Sequence, residues 1–222
     1  MFALKRRLLL SLAVLTLTAC SPEKPKFNGI DITGADYATG FTLTDHNGQV
    51  RHLADFKGKR VVREGTNPGC PFVRKHYASG NMPATQKDAT SQGVVWLSIN
   101  STEKASSDYL EPTKLMAWKQ ERKAAPTAVL MDEEGTVGKS YGARTTPHLY
   151  IVNPQGVLVY AGGIDSIPSA RPADIEKATN YVKVGLAETL AGKPISGVGS
   201  GGMITKIEAG KIALGAGCNM VI

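Results

Sequence analysis

Thr66-Asn-Pro-Gly-Cys-Pro-Phe-Val-Arg-Lys-His-Tyr77 is the stretch on which the reading of this chain turns. Asn-Pro-Gly is turn-forming. From Phe72 to Tyr77 the apolar spacing is helical. Pro71 suits the first helical position, where a missing N–H costs nothing. Cys70 is therefore expected to be the N-cap. Free N–H groups and the positive end of the helix dipole favour a thiolate there, and Arg74, one turn on, adds positive charge. A thiolate is the species that attacks a disulfide or a peroxide. The Asn-Pro-Gly lead-in is expected to expose the thiol rather than bury it.

Working outward, residues 41–53 alternate as a β-hairpin with Asn47-Gly48 at its turn. The polar stretch 54–59 leads into a strand at Val61-Val62. Downstream, 94–99 is a short apolar run that predicts a buried strand. Residues 108–123, polar with spaced Leu110, Leu115 and Trp118, predict a surface helix. Residues 127–131 form another strand, stopped by Asp132-Glu-Glu-Gly135. Strands at 149–152 and 157–160 flank the turn Asn153-Pro-Gln-Gly156. Residues 172–190 read as one amphipathic helix starting near Pro172. This order predicts an α/β domain with a mixed central sheet and helices on both faces. Trp96 and Trp118 are expected core aromatics.

Several motifs agree in order with a known family. The Thr66–Tyr77 stretch, Ser79-Gly-Asn-Met82, Gly93-Val-Val-Trp-Leu-Ser-Ile-Asn100, Ala125-Pro-Thr-Ala128 and Thr145-Thr-Pro-His148 resemble the bacterial redoxins related to alkyl hydroperoxide reductases and thiol-specific antioxidants, over about 66–194. That resemblance implies a thioredoxin-like fold and no cofactor. It implies peroxide reduction or thiol–disulfide exchange at one reactive cysteine, Cys70, with a thiol protein or small thiol as reductant. It also implies a cis bond at Thr146-Pro147, where the residue before the proline offers its backbone to a bound thiol-bearing chain. The N-terminal part, about 1–62, resembles the Sco-type copper-chaperone lipoproteins through Asp31-Ile-Thr-Gly-Ala-Asp36, Phe41-Thr-Leu-Thr-Asp-His46 and Leu53-Ala-Asp-Phe-Lys-Gly58. A short segment at 199–222, with Gly199-Ser-Gly-Gly-Met203, resembles glutamate 5-kinases.

The chain departs from these patterns at particular positions. A thioredoxin-type pair needs a second thiol three residues after the first, and Val73 stands there. A Sco-type copper site needs it four residues on, and Arg74 stands there; copper(I) prefers soft thiolates, so no metal site is expected. The peroxidase pattern of proline and then threonine before the cysteine meets Arg63 and Asn67 instead, although Thr66 offers a hydroxyl nearby. Arg63-Glu64-Gly65 is the main misfit. These residues fall where a central strand should be apolar, and a buried unpaired arginine costs several kcal/mol (roughly, from transfer energies). Adjacent strand residues point to opposite faces, so Arg63 and Glu64 cannot pair. Two other readings stay open: a non-catalytic thioredoxin-fold module that binds chains at Thr146 and Pro147, and a degenerate copper chaperone.

The two ends read differently from the body. Residues 1–19 have Lys5, Arg6 and Arg7, an apolar run and then Thr-Ala before Cys20. This is the lipobox pattern of a bacterial lipoprotein signal, with Cys20 as the lipidated residue and an apolar run shorter than the ~20 residues of a membrane-spanning helix. Residues 20–40 would be a tether, 41–194 the redox domain and 195–222 a glycine-rich tail. The chain is thus expected to be exported and anchored to a membrane, facing the periplasm or the cell exterior. Cys218 is the candidate resolving thiol for Cys70. The net charge of +7 falls once the leader's three bases are removed, and the rest is spread evenly, which argues against nucleic-acid binding.

Overall fold

The computed structural model describes residues 41–193 and residue 195. Cys20, the tether and the tail with Cys218 lie outside the described residues. Among the described residues, seven strands form one sheet: β1 (Thr42–Asp45), β2 (Val50–His52), β3 (Val61–Thr66), β4 (Val95–Asn100), β5 (Ala128–Met131), β6 (His148–Val152) and β7 (Leu158–Gly162). Their order is β2-β1-β5-β4-β3-β6-β7. β3, β4 and β5 are parallel, while β6, β7, β1 and β2 join antiparallel, so the sheet is mixed. The helices are α1 (Pro71–Ala78), α2 (Asn81–Ser91), α3 (Pro112–Glu121), α4 (Thr136–Ser140) and α5 (Tyr181–Leu190). The fold is thioredoxin-like, as expected.

Alternation along β3 divides the core. Val62 and Glu64 share a face with Trp96 and Ser98 of β4 and with Leu149 and Ile151 of β6. Residues of α1, α2 and α5, among them Val73, Met82 and Val182, pack on that face around Val62, Trp96 and Ile151. Leu115 of α3 covers Val129 and Met131 beside them. Fully burying side chains of this size stabilises by roughly 1.5–3 kcal/mol each. The other face carries Arg63 and Tyr150, where Tyr141, the C-cap of the short α4, and Phe41 meet the Arg63 guanidinium. β4 and β6 are buried along their whole length, the usual fate of central strands.

Several expectations need correcting. β3 does not stop at Val62 but runs through Arg63-Glu64-Gly65 to Thr66. The polar approach at 54–59 holds a 3₁₀ turn, Leu53–Phe56, in which the Asp55 carboxylate accepts from the His52 N–H. α2 went unpredicted because Thr85 and Gln86 are among its buried residues, which hides the apolar period. α4 was likewise missed. The helix placed at 108–123 begins at Pro112, and it buries Lys119. The helix read over 172–190 is broken: a 3₁₀ turn, Pro172–Lys177, is followed by extended residues, and α5 starts afresh. Asn180 causes the restart, because its side chain accepts from Lys183 N (3.0 Å) and it bridges to Asp165.

Candidate functional site

The turn leading into α1 is built by Asn67. Its Oδ1 accepts from Gly69 N (2.7 Å) and its carbonyl accepts from Cys70 N (3.0 Å). The chain then enters α1 with Cys70 as N-cap and Pro71 at the first helical position, as the sequence predicts. Arg74 is exposed, and its Nε donates to the Pro68 carbonyl (2.9 Å). It therefore braces the turn, and its link to Cys70 is the helical bond from its backbone N–H to the Cys70 carbonyl (2.9 Å). Among the described residues no side-chain hydrogen bond joins it to the sulfur. Thr66 ends β3, and its buried Oγ1 has no hydrogen-bond partner, so the hydroxyl expected beside the thiol is not bonded to it.

The expectation of an exposed thiol is also corrected. Cys70 is buried at 8% exposure. Its Sγ donates to the Thr146 carbonyl (3.3 Å), and the Thr146–Pro147 bond is cis. The loop before β6 thus covers the sulfur that the Asn-Pro-Gly turn would otherwise leave open. Sequence reasoning identified Cys70, Thr146 and Pro147, and the structure brings them together. Val73 is buried in the core, so the position of a second thiol is taken by hydrocarbon. Among the described residues no group of three histidines, cysteines or acids is arranged to hold a metal ion.

Two buried polar clusters hold α1 in place, and neither was foreseen as a unit. Glu64 of β3 accepts from Tyr77 of α1 (2.6 Å), Gln86 of α2 (2.9 Å), Trp96 of β4 (2.9 Å) and Ser98 (3.3 Å). Lys119 of α3 lies 3.9 Å from the carboxylate and donates to Tyr77 Oη (2.6 Å) and Ser98 Oγ. Burial pushes the Lys119 ammonium below the ordinary lysine range, with Glu64 opposing that shift. It pushes the Tyr77 phenol well up, with Glu64 adding to that shift. In the second cluster, Lys75 Nζ pairs with Asp165 (3.0 Å) and His76 Nε2 lies 3.5 Å from the same oxygen. Burial and then Lys75 push His76 down to about 3, so it is neutral near pH 7. Glu64 stood out in the sequence as a misfit. Lys119 gave no signal, because a lysine in a polar helix normally faces water.

A third residue, Asp108, flanks the turn. Its Oδ2 lies 3.4 Å from Asn67 Nδ2. Its carboxyl group packs so closely on Gly69 that a methyl group there would overlap it. This explains a glycine whose backbone is otherwise ordinary.

The sequence profile of the AhpC/TSA family matches residues 35–161, more than half of the chain. The thiol-disulfide oxidoreductase ResA of Bacillus subtilis is 25% identical over 162 residues, covering 70% of this chain and 84% of ResA. The crystal structure of an uncharacterized conserved protein from Geobacillus kaustophilus is similar with a TM-score of 0.60 and 28% identity, covering 70% of this chain and 81% of that one. A glutamate 5-kinase of a Ruegeria species is 39% identical over 70 residues, 30% of this chain. The chain spans only 19% of the length of that kinase.

Proposed function

This chain belongs to the AhpC/TSA family, and on that premise we propose that it is a thiol-dependent oxidoreductase that exchanges disulfides through Cys70 alone. The observation that carries the reading is the Cys70 sulfur at the N-cap of α1, 3.3 Å from the Thr146 carbonyl at the cis Thr146–Pro147 bond. A chain lying along Thr146 can present a disulfide to that sulfur. The Cys70 thiolate attacks one sulfur of R–S–S–R, forms Cys70–S–S–R and releases R–S⁻. Val73 supplies no thiol to resolve this adduct. An external thiolate then attacks the R sulfur, and Cys70 leaves as thiolate. ResA bears the name of such an oxidoreductase, which supports the same class of reaction.

Peroxide reduction at the same sulfur is the second reading, favoured by the family match. A thiolate takes one oxygen from ROOH and becomes a sulfenic acid as ROH leaves. Two external thiols then restore it, releasing water and their own disulfide. The lipobox at Cys20 supports a mature chain that begins there and hangs from a membrane by residues 20–40 on the periplasmic or outer side. No helix among the described residues is long and apolar enough to cross a membrane.

The test is turnover with the full chain. Incubated with a disulfide substrate and a small thiol, it is expected to accumulate a mixed disulfide mapped to Cys70 and to turn over. Cys70→Ser is expected to do neither. Equal turnover by Cys70→Ser would end the assignment, and hydroperoxide consumption dependent on Cys70 would move the substrate to the second reading.

A further inference from the structure

Resting on Cys70 as the reacting thiol, we propose that Asp108 sets the charge preference of the site, favouring cationic disulfides and disfavouring anionic ones. Its carboxyl group packs on Gly69, and the next residue is Cys70, one Cα step of about 3.8 Å away. Among the described residues no cation lies within ion-pair distance of Asp108. Its side-chain hydrogen bond is to the neutral amide of Asn67. Of the two cations on α1, Arg74 is exposed and engaged with Pro68, so solvent screens more of its field, and Lys75 is paired with Asp165 (3.0 Å). Asp108 is only half exposed and cannot swing away freely, because its loop is pinned on both sides. Upstream, Thr102 donates to Asn100 Oδ1 through N and Oγ1 (3.2 and 2.6 Å). Lys104 pairs with Glu133 (3.1 Å), and Tyr109 donates to the same carboxylate. A carboxylate with no ion-pair partner among the described residues thus packs on the residue that precedes Cys70, at a helix N-terminus that alone would welcome anions.

The experiment uses the full chain and three disulfides of similar size: cystamine, hydroxyethyl disulfide and dithiodipropionate, which are cationic, neutral and anionic. Adduct formation at Cys70 is followed by peptide mass, and each rate is divided by that of the same disulfide with a small free thiol. Wild type is expected to take cystamine fastest and dithiodipropionate slowest. Asp108→Asn is expected to narrow that ratio about fivefold, with the neutral disulfide unchanged within about twofold. Added salt is expected to narrow the ratio in wild type and to do so less in the variant. If Asp108→Asn shifts all three rates by one factor, or none, Asp108 only shapes the turn and the inference is overturned. If wild type forms no Cys70 adduct with any of the three, the Cys70 reading itself falls, and the inference with it.

Discussion

Arg63 and Glu64 are neighbours in β3, both buried and both charged in their ordinary states, yet the two faces of the sheet treat them differently. Glu64 looks toward the helix that carries Cys70. There it meets four hydrogen-bond donors, and Lys119 stands close by. Arg63 looks the other way into aromatic rings. Its guanidinium carbon lies 3.3 Å from the Tyr141 ring centroid, 5.3 Å from that of Tyr150 and 5.5 Å from that of Phe41. Its Nε and Nη1 have no hydrogen-bond partner. One charge is tied by directional bonds to the elements around the site, and the other rests on ring faces. The difference teaches that a buried charge can be an anchor or merely tolerated, and its partners decide which.

The sharpest way to break this comparison is to remove a member of the Glu64 cluster. Glu64→Ala leaves Lys119 buried without its counter-charge and Tyr77 and Trp96 without their acceptor. The expected loss is about 3–5 kcal/mol in denaturant unfolding. Lys119→Met is expected to cost less, because Tyr77, Gln86, Trp96 and Ser98 still solvate the carboxylate. The Glu64→Gln, Lys119→Met pair is expected to recover part of the loss by removing both charges. Costs that simply add would show that Glu64 and Lys119 do not act as a unit.

The same helix gives the Glu64 face a pH dependence. His76 is held at about 3 against an ordinary 6.5. The unfolded chain therefore takes up the proton first as pH falls. Stability contributed by neutral His76 is complete above about 6.5 and is lost as pH drops from there toward 3, by at most about 1.4 kcal/mol per pH unit. Asp165 works against this at the acid end, because burial raises its proton affinity above the ordinary 3.8. The clean window thus opens just below pH 6.5, before the raised Asp165 begins to oppose the loss. Melting temperature is expected to fall across it in wild type and to fall less in His76→Gln. Parallel curves would mean that another group carries the loss.

What could be read in advance was local. Asn47-Gly48 names its own turn and Pro71 names a helix start, and both hold. The cis bond at Thr146–Pro147 also holds, but it comes from the family resemblance and not from the local sequence. Glu64 read as a misfit because its acceptor role depends on Trp96 and Lys119, distant in sequence and joined only by the parallel crossovers. Asp108 was invisible for a similar reason, since Gly69 needs its small size only once a later loop folds over it. Cys70 was expected open because a turn exposes its own residues, but a loop before β6 supplies the cover. The helix over 172–190 failed differently: its apolar spacing continues through the break, and Asn180 overrides it by capping a new helix.

The smallest expected effect tests the tolerated side. Burial pushes the Arg63 guanidinium below the ordinary arginine range, and the neighbouring Tyr141 and Tyr150 act against that shift. A cation over desolvated rings gains about 2 kcal/mol, while burying hydrogen-bond donors without acceptors costs a similar amount or more. The two nearly cancel, so removing the charge while keeping the volume is expected to change little. Arg63→Met keeps an unbranched chain of comparable length and brings a sulfur that also packs well on aromatic rings. It is expected to be between unchanged and about 1 kcal/mol more stable. Arg63→Ala separates volume from charge: it leaves space among Phe41, Tyr141 and Tyr150 and is expected to be the less stable of the two. Denaturant unfolding of both variants against wild type decides the matter. If Arg63→Met loses as much as Lys119→Met, the rings anchor Arg63 as firmly as the donors anchor Glu64, and the contrast between the faces disappears. If only Arg63→Ala is weakened, Arg63 serves its face as volume.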